Sequence, residues 1–264
     1  MTIEEAIKRP FQNIEKLAIG TIISAVPLVN LIAVGYFLEC FRRTLRKDNS
    51  LPEWADWSKI ILDGLKAAVV QIVYAIPLMI LFLIIFAIFA GFVLTVFGPI
   101  DPGTFASSQP FTQADTAIKF TTKFMQIFFE NIGTLFFGFF IFISVAIITS
   151  LLSTAATVRF AQTENFNSAF ALGEVKSVGL TLKFFITLII AGVVASVVGL
   201  VMVIPIALLT LIPVLGVLIN FLGSGLITFV GGLIFWTILA ERYARDFQPT
   251  RTAVAKTSAK KKRK

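Results

Sequence analysis

Histidine is absent from this 264-residue chain, and cysteine occurs once, as Cys40. The first absence removes the commonest metal ligand and the usual general base near neutral pH. The second excludes an intramolecular disulfide. Charge is scarce as well: Asp, Glu, Lys and Arg make up 14% of the residues, against about 25% in soluble domains. Apolar residues make up 57%. A soluble fold would have to bury that surface in one core and still present a charged exterior, yet the few charges are clustered between apolar runs. The chain reads as an integral membrane protein.

What is present is a series of long apolar segments. Leu17 to Phe41 carries one charge, Glu39. At about 1.5 Å per residue it is long enough for one tilted crossing of a hydrocarbon core about 30 Å thick, and too short for two. Pro27 and Asn30 in its middle predict a kink; a re-entrant hairpin is the alternative. Ala67 to Ile100, interrupted by Pro77, and Asn131 to Val158 are the second and third expected spans. Phe184 to Ala240 contains no charge. As one helix it would reach about 85 Å, far beyond a bilayer, so it must turn back. Pro205, Pro213 and Gly216 mark that turn, with spans four and five on either side.

Between these runs lie two segments with helical amphipathicity, Ser58 to Gln71 and Phe111 to Glu130, expected as interfacial helices. The turn before the first, Leu51-Pro52-Glu53-Trp54-Ala55-Asp56-Trp57, carries two indoles, which favour the headgroup level. The expected fold class is therefore all-α: a polytopic transmembrane bundle of about five spans with interfacial helices. Residues 1–246 form one domain, and 247–264 form a basic, disordered tail. The N-terminus has no cleavable-signal pattern, because Glu4 and Glu5 precede Lys8 and Arg9 and the following apolar run is long.

The net charge is +8. With five crossings, Arg42, Arg43, Arg46, Lys47, Lys59, Arg159, Lys176, Lys183, Arg242, Arg245 and the tail share one side, which cytoplasmic bias assigns to the cytoplasm. Lys8, Arg9 and Lys16 then fall outside; a re-entrant first run would bring them in. The C-terminus is cytoplasmic in either arrangement, and the protein is expected in the cell membrane. The Lys260–Lys264 run is suited to anionic headgroups, at about 1 kcal/mol per residue; nucleic acid is not the expected partner.

No phosphate loop, metal-ligand cluster or nucleophile–base pair is found, so no cofactor, metal or enzymatic activity is expected. Glu39 is read as an interfacial ion pair with Arg42 or Arg43 rather than as part of a proton path. Asn30, Gln71, Tyr74, Ser144, Thr149, Ser196, Asn220 and Ser224 are read as contacts between helices before substrate lining. Small residues four apart, Ala191/Ala195/Gly199 and Ser224/Thr228/Gly232, predict close packing inside the monomer before homodimerisation. The 28 phenylalanines are read as lipid-facing bulk.

Gly35-Tyr36, a basic stretch, Leu51-Pro52-x-Trp54-x-Asp56-Trp57, Asp63-Gly64-Leu65-Lys66, then Tyr74 and Pro77, resemble the membrane family catalogued as domain of unknown function 4013. Ala169-Phe170-Ala171-Leu172-Gly173-Glu174 resembles its pattern between middle spans. The resemblance implies an archaeal or bacterial polytopic membrane protein and carries no activity. In physical terms Pro52, Trp54, Asp56 and Trp57 form an interfacial turn, and Asp63-Gly64 lets an amphipathic helix bend into the second span, together a structural clamp. The expected role is a non-enzymatic scaffold or complex subunit with a membrane-protein partner. The alternative is a transporter or channel for a small or lipidic solute, using the helices kinked at Pro27, Pro77 and Pro205. A membrane-bound enzyme is a third, weaker option.

Overall fold

The computed structural model describes residues 2–97, 114–212 and 215–247. Among them are eight α-helices and no strand: α1 (Ile3–Lys8), α2 (Ile14–Ala25), α3 (Asn30–Leu45), α4 (Trp57–Phe97), α5 (Ala114–Thr163), α6 (Leu172–Gly179), α7 (Leu182–Leu209) and α8 (Leu215–Phe247). Short 3-10 turns follow α1 at Arg9–Gln12 and α5 at Phe166–Phe170. Four helices, Trp57–Gly91, Phe128–Thr163, Leu182–Leu209 and Leu215–Phe247, are long and apolar enough to cross a membrane. The expected membrane-type helical bundle is therefore present, with the tail and Pro213 outside the described residues.

The first apolar run departs from the single crossing. Val26 is extended (φ −96°, ψ 118°), as expected of the residue before a proline, which the Pro27 ring drives out of the helical region. The helix ends, and the chain turns back into α3. At about 1.5 Å per residue α2 and α3 reach roughly 18 and 24 Å, each short of the hydrocarbon core. They form a hairpin. Lys16, at the start of α2, donates to the Leu51 carbonyl just beyond α3, while the far end of α2, at Thr21 and Ala25, lies against Gly225 of α8. On the way back, Phe37 packs on Gly232 and Phe41 on Trp236. Hence Arg9 and Lys16 sit at the same end as Arg42–Lys47, and the positive residues that a crossing would have separated are brought together.

Helix ends follow local chemistry. A Thr2/Glu5 capping box starts α1, Asn13 caps α2 and Thr181 caps α7. The α3 terminus closes with Asp48 N–H donating to the Arg43 carbonyl and Lys47 N–H to that of Thr44, Lys47 taking the left-handed φ of 64° that this closure requires.

Two interfacial helices were expected, and both segments instead belong to longer helices. Ser58–Gln71 is the opening of α4, and the described part of Phe111–Glu130 runs without a break into α5. Helix propagation adds a hydrogen bond per residue once a turn exists, and neither junction holds a residue that stops it. Pro77 lies inside α4 and Pro205 inside α7; the turn between α7 and α8 comes after Leu209, beyond Pro205.

The described chain forms two compact units, Met1–Ile72 with Leu151–Lys264, and Val73–Ser150. In the first unit α8 is the central element. Its Val230, Ile234 and Ile238 make a core with Ala6 and Ala191, so the α7 small-residue stripe packs inside the chain. The Phe229 ring lies over Gly20, where a Cβ would come within 2.2 Å. The second unit turns Phe82, Phe86, Phe136, Phe137, Phe139 and Phe140 outward, as lipid-facing side chains are.

Candidate functional site

The chemistry-bearing side chains of the first unit collect where the hairpin meets the starts and ends of the other helices. Arg42 on α3 is 3% exposed. Its Nη1 donates to Asp63 Oδ2 on α4 at 2.5 Å and to Glu39 Oε2 at 3.2 Å, and its Nε donates to the Ala161 carbonyl on α5 at 3.0 Å. The guanidinium carbon stands 5.8 Å from the centre of the Phe160 ring. One arginine thus ties three helices together. A second ring of pairs extends this toward the surface: Lys59 with Glu39 (3.3 Å), Arg46 with Glu164 (3.0 Å), and Arg159 with Glu174. Glu39 is an ion-paired carboxylate as expected, with Lys59 rather than Arg43 as its other partner. Tyr243 Oη donates to Gln162 Oε1 at 3.0 Å, joining α8 to the same end.

The α3–α4 crossing explains Gly64. A Cβ there would lie 1.9 Å from the Leu31 carbonyl oxygen, and one on Gly35 would lie 1.9 Å from that of Ile60. The two backbones touch through reciprocal glycines. Gly64 therefore permits a close approach of α3, within an α4 that runs on without interruption. Asp63, one residue earlier, points its carboxylate at Arg42 across the same crossing.

The turn residues build the adjoining wall. Tyr36 Oη donates to the Pro52 carbonyl at 3.0 Å, and its ring stacks on Trp54 with centroids 4.1 Å apart and planes at 14°. Trp54 also stacks on Trp57 (5.3 Å, 26°). Of the two indoles, Trp54 is part of the core at 9% exposure and Trp57 remains open at 40%. Asp56 caps α4, its Oδ1 accepting from Lys59 N–H at 3.1 Å. Beside this turn, Ser50 N–H donates to Asp48 Oδ1 at 2.9 Å. That bond, with Arg43 nearby, holds the Asp48 carboxyl below its ordinary range.

Arg9 is the residue that sequence reasoning missed. It is fully buried, with Nη1 donating to Thr44 Oγ1 (2.6 Å) and Thr237 Oγ1 (3.0 Å) and Nη2 to the Ser50 carbonyl (3.1 Å). Its neighbours Lys8 and Pro10 give no signal of this, because all three partners are distant in sequence. Two of the hydroxyls expected to join helices instead bond their own helix backbone: Ser144 to Phe140 and Ser224 to Phe221.

Three cavities border these features. One of about 190 Å³ lies over Glu39, Glu53, Asp56, Lys59 and Asp63. Another of about 120 Å³, between α1 and α8, is lined by Thr2, Thr237, Glu241, Arg242 and Arg245 among others. The largest, about 560 Å³, separates α7 and α8 near Thr210, Asn220 and Ser224. Among the described residues, no group of three or more histidine, cysteine, aspartate or glutamate side chains is arranged to hold a metal ion.

A family model described as Protein of unknown function (DUF4013) matches residues 19–209, which takes in most of the hairpin, the turn and the first three long helices. Searches of curated proteins and of solved structures found no match.

Proposed function

The chain belongs to the DUF4013 family, and on that premise we propose that it is a non-enzymatic membrane scaffold or subunit of a membrane complex. One observation carries this reading: in both α4 and α5, the most apolar stretch has only 6% of its residues buried within the chain. With 41 and 50 residues, both helices also exceed the roughly 20 that a crossing needs. Long apolar faces left open within the chain suit partner helices as well as lipid, and the ion pairs of the first unit tie its own helices together. The turn of Pro52, Trp54, Asp56 and Trp57, with Asp63 and Gly64, acts in this reading as a clamp holding the hairpin to α4.

Native mass spectrometry of the chain extracted in mild detergent tests the scaffold reading. A stoichiometric protein partner is the expected result. A lone chain retaining a small molecule or lipid overturns it in favour of the second reading, a transporter or channel for a small or lipidic solute. The cavity of about 560 Å³ between α7 and α8 favours that alternative, since its size falls in the range of about 300–1,000 Å³ typical of ligand sites.

The orientation proposed is basic end inward, in the cell membrane, with both chain ends cytoplasmic and the Lys260–Lys264 run against anionic headgroups. Reporter fusions at either end are both expected to report the cytoplasm. A fusion at residue 1 that reports the outside would defeat the re-entrant hairpin.

A further inference from the structure

Arg9 and Arg42 are equally withdrawn from solvent, yet only one of them is neutralised. Arg42 meets two carboxylates, Asp63 and Glu39. The three hydrogen-bond acceptors of Arg9 are neutral oxygens of Thr44, Thr237 and Ser50, its Nε has no partner, and no described carboxylate lies within ion-pairing distance. A buried guanidinium of this kind keeps its charge, since arginine does not deprotonate in proteins, and its field is weakly screened in a low-dielectric interior. Buried charges are ordinarily paired.

That field reaches a cavity. Thr237, whose Oγ1 accepts from Arg9, also lines the pocket of about 120 Å³ between α1 and α8. Arg242 and Arg245 line the same pocket. Against them stand Glu241, which also lines it, Asp246, paired with Arg245 Nε at 3.1 Å, and Glu5, whose Oε2 accepts from the N–H of the lining residue Thr2 at 2.9 Å. Counting Arg9 behind Thr237, three cations meet three carboxylates, but neither Arg9 nor Arg242 is within ion-pairing distance of a described carboxylate. Glu241 is also the first charged residue after the apolar run that ends at Ala240, so the pocket lies where hydrocarbon gives way to headgroups.

We propose that this pocket binds a phosphate group, held by Arg242 and Arg245, with the Thr237 hydroxyl transmitting the charge of Arg9. Guanidinium groups match phosphate geometry and are weakly hydrated, which favours them over lysine for this task. At about 30 Å³ per water the space equals roughly four waters, enough for the phosphate of a lipid whose chains stay in the bilayer, or for free phosphate. The site is separate from the basic tail and does not depend on the choice between scaffold and transport.

The test uses the full-length chain in phosphatidylcholine nanodiscs titrated with phosphatidylglycerol, bound lipid being counted by native mass spectrometry. Arg242→Gln with Arg245→Gln is expected to weaken phosphatidylglycerol retention about 25-fold, at about 1 kcal/mol per arginine near the surface. Arg→Lys at both positions restores part of it. Substituting Lys260–Lys264 by glutamine leaves this tightly held lipid in place. If the double variant does not fold, Arg245→Gln alone, on an exposed side chain, gives the same reading at about fivefold. Should inorganic phosphate raise the melting temperature of the parent but not of the glutamine variant, with no lipid difference, free phosphate is the occupant. Equal lipid retention and equal phosphate response in parent and variant overturn the site.

Discussion

Gly64→Ala is expected to lower stability by about 3 kcal/mol or more, at or above the top of the range for overpacked cores, and to reduce folded yield in membranes. The added Cβ would sit 1.9 Å from the Leu31 carbonyl oxygen, and a backbone atom, unlike the tip of a flexible side chain, cannot swing away. The α3–α4 crossing would have to open, separating Arg42 from Asp63 and drawing Tyr36 off Pro52. Gly35→Ala, facing the Ile60 carbonyl at the same distance, is expected to do the same. Gly192→Ala, where a Cβ meets nothing within 4 Å, serves as the neutral control, since alanine is the better helix former. Thermal unfolding in detergent measures all three. If Gly64→Ala melts with the parent, the two helices do not touch here and the clamp is lost as an idea.

Arg42→Met should be comparably damaging for an electrostatic reason. Removing one partner of a buried pair leaves the other charge unpaired, at a cost of about 3–5 kcal/mol. Asp63, 7% exposed, would be that charge, and the Ala161 carbonyl would lose its donor. Replacing both partners by apolar residues of similar size is often close to neutral. The double variant Arg42→Met with Asp63→Leu is therefore expected to recover much of the loss, giving a large coupling term in a double-mutant cycle. Two single losses that simply add would show that Arg42 and Asp63 do not share a buried site. Glu39 keeps Lys59 in every variant, so the outer ring of pairs stays as a constant background.

The two substitutions probe features that differ in how far they could be read from the chain. Gly64 and Asp63 stand out in the sequence as a polar break in an amphipathic helix, but their uses do not. Whether a glycine bends a helix or admits a neighbour depends on a second backbone, here the one at Gly35. Similarly, Glu39 is visibly placed for an ion pair, while its choice of Lys59 depends on how α3 and α4 cross. Trp54 is recognisable in the sequence as an interfacial residue type, while its enclosure by Tyr36 and Phe229 depends on the hairpin and α8 bringing those rings to it.

Sequence by itself determined the membrane class, the helical architecture and the long apolar helices, because a bilayer imposes length and polarity on each segment independently. Every residue of a span meets the same solvent, so counting suffices. Tertiary structure alone decided the path of the first run. A 12-residue helix, a break at Pro27 and a 16-residue helix contain as much apolar length as one kinked crossing. What separates them is the groove on α8 that receives them, with Gly225 against Thr21 and Ala25 and Gly232 against Phe37. The burial of Arg9 follows from that choice, since only a hairpin returns the chain to the end where Thr44, Ser50 and Thr237 await its guanidinium. Contacts between residues this far apart leave no local pattern, because hydrophobic periodicity records which side of an element is apolar and not what will cover it.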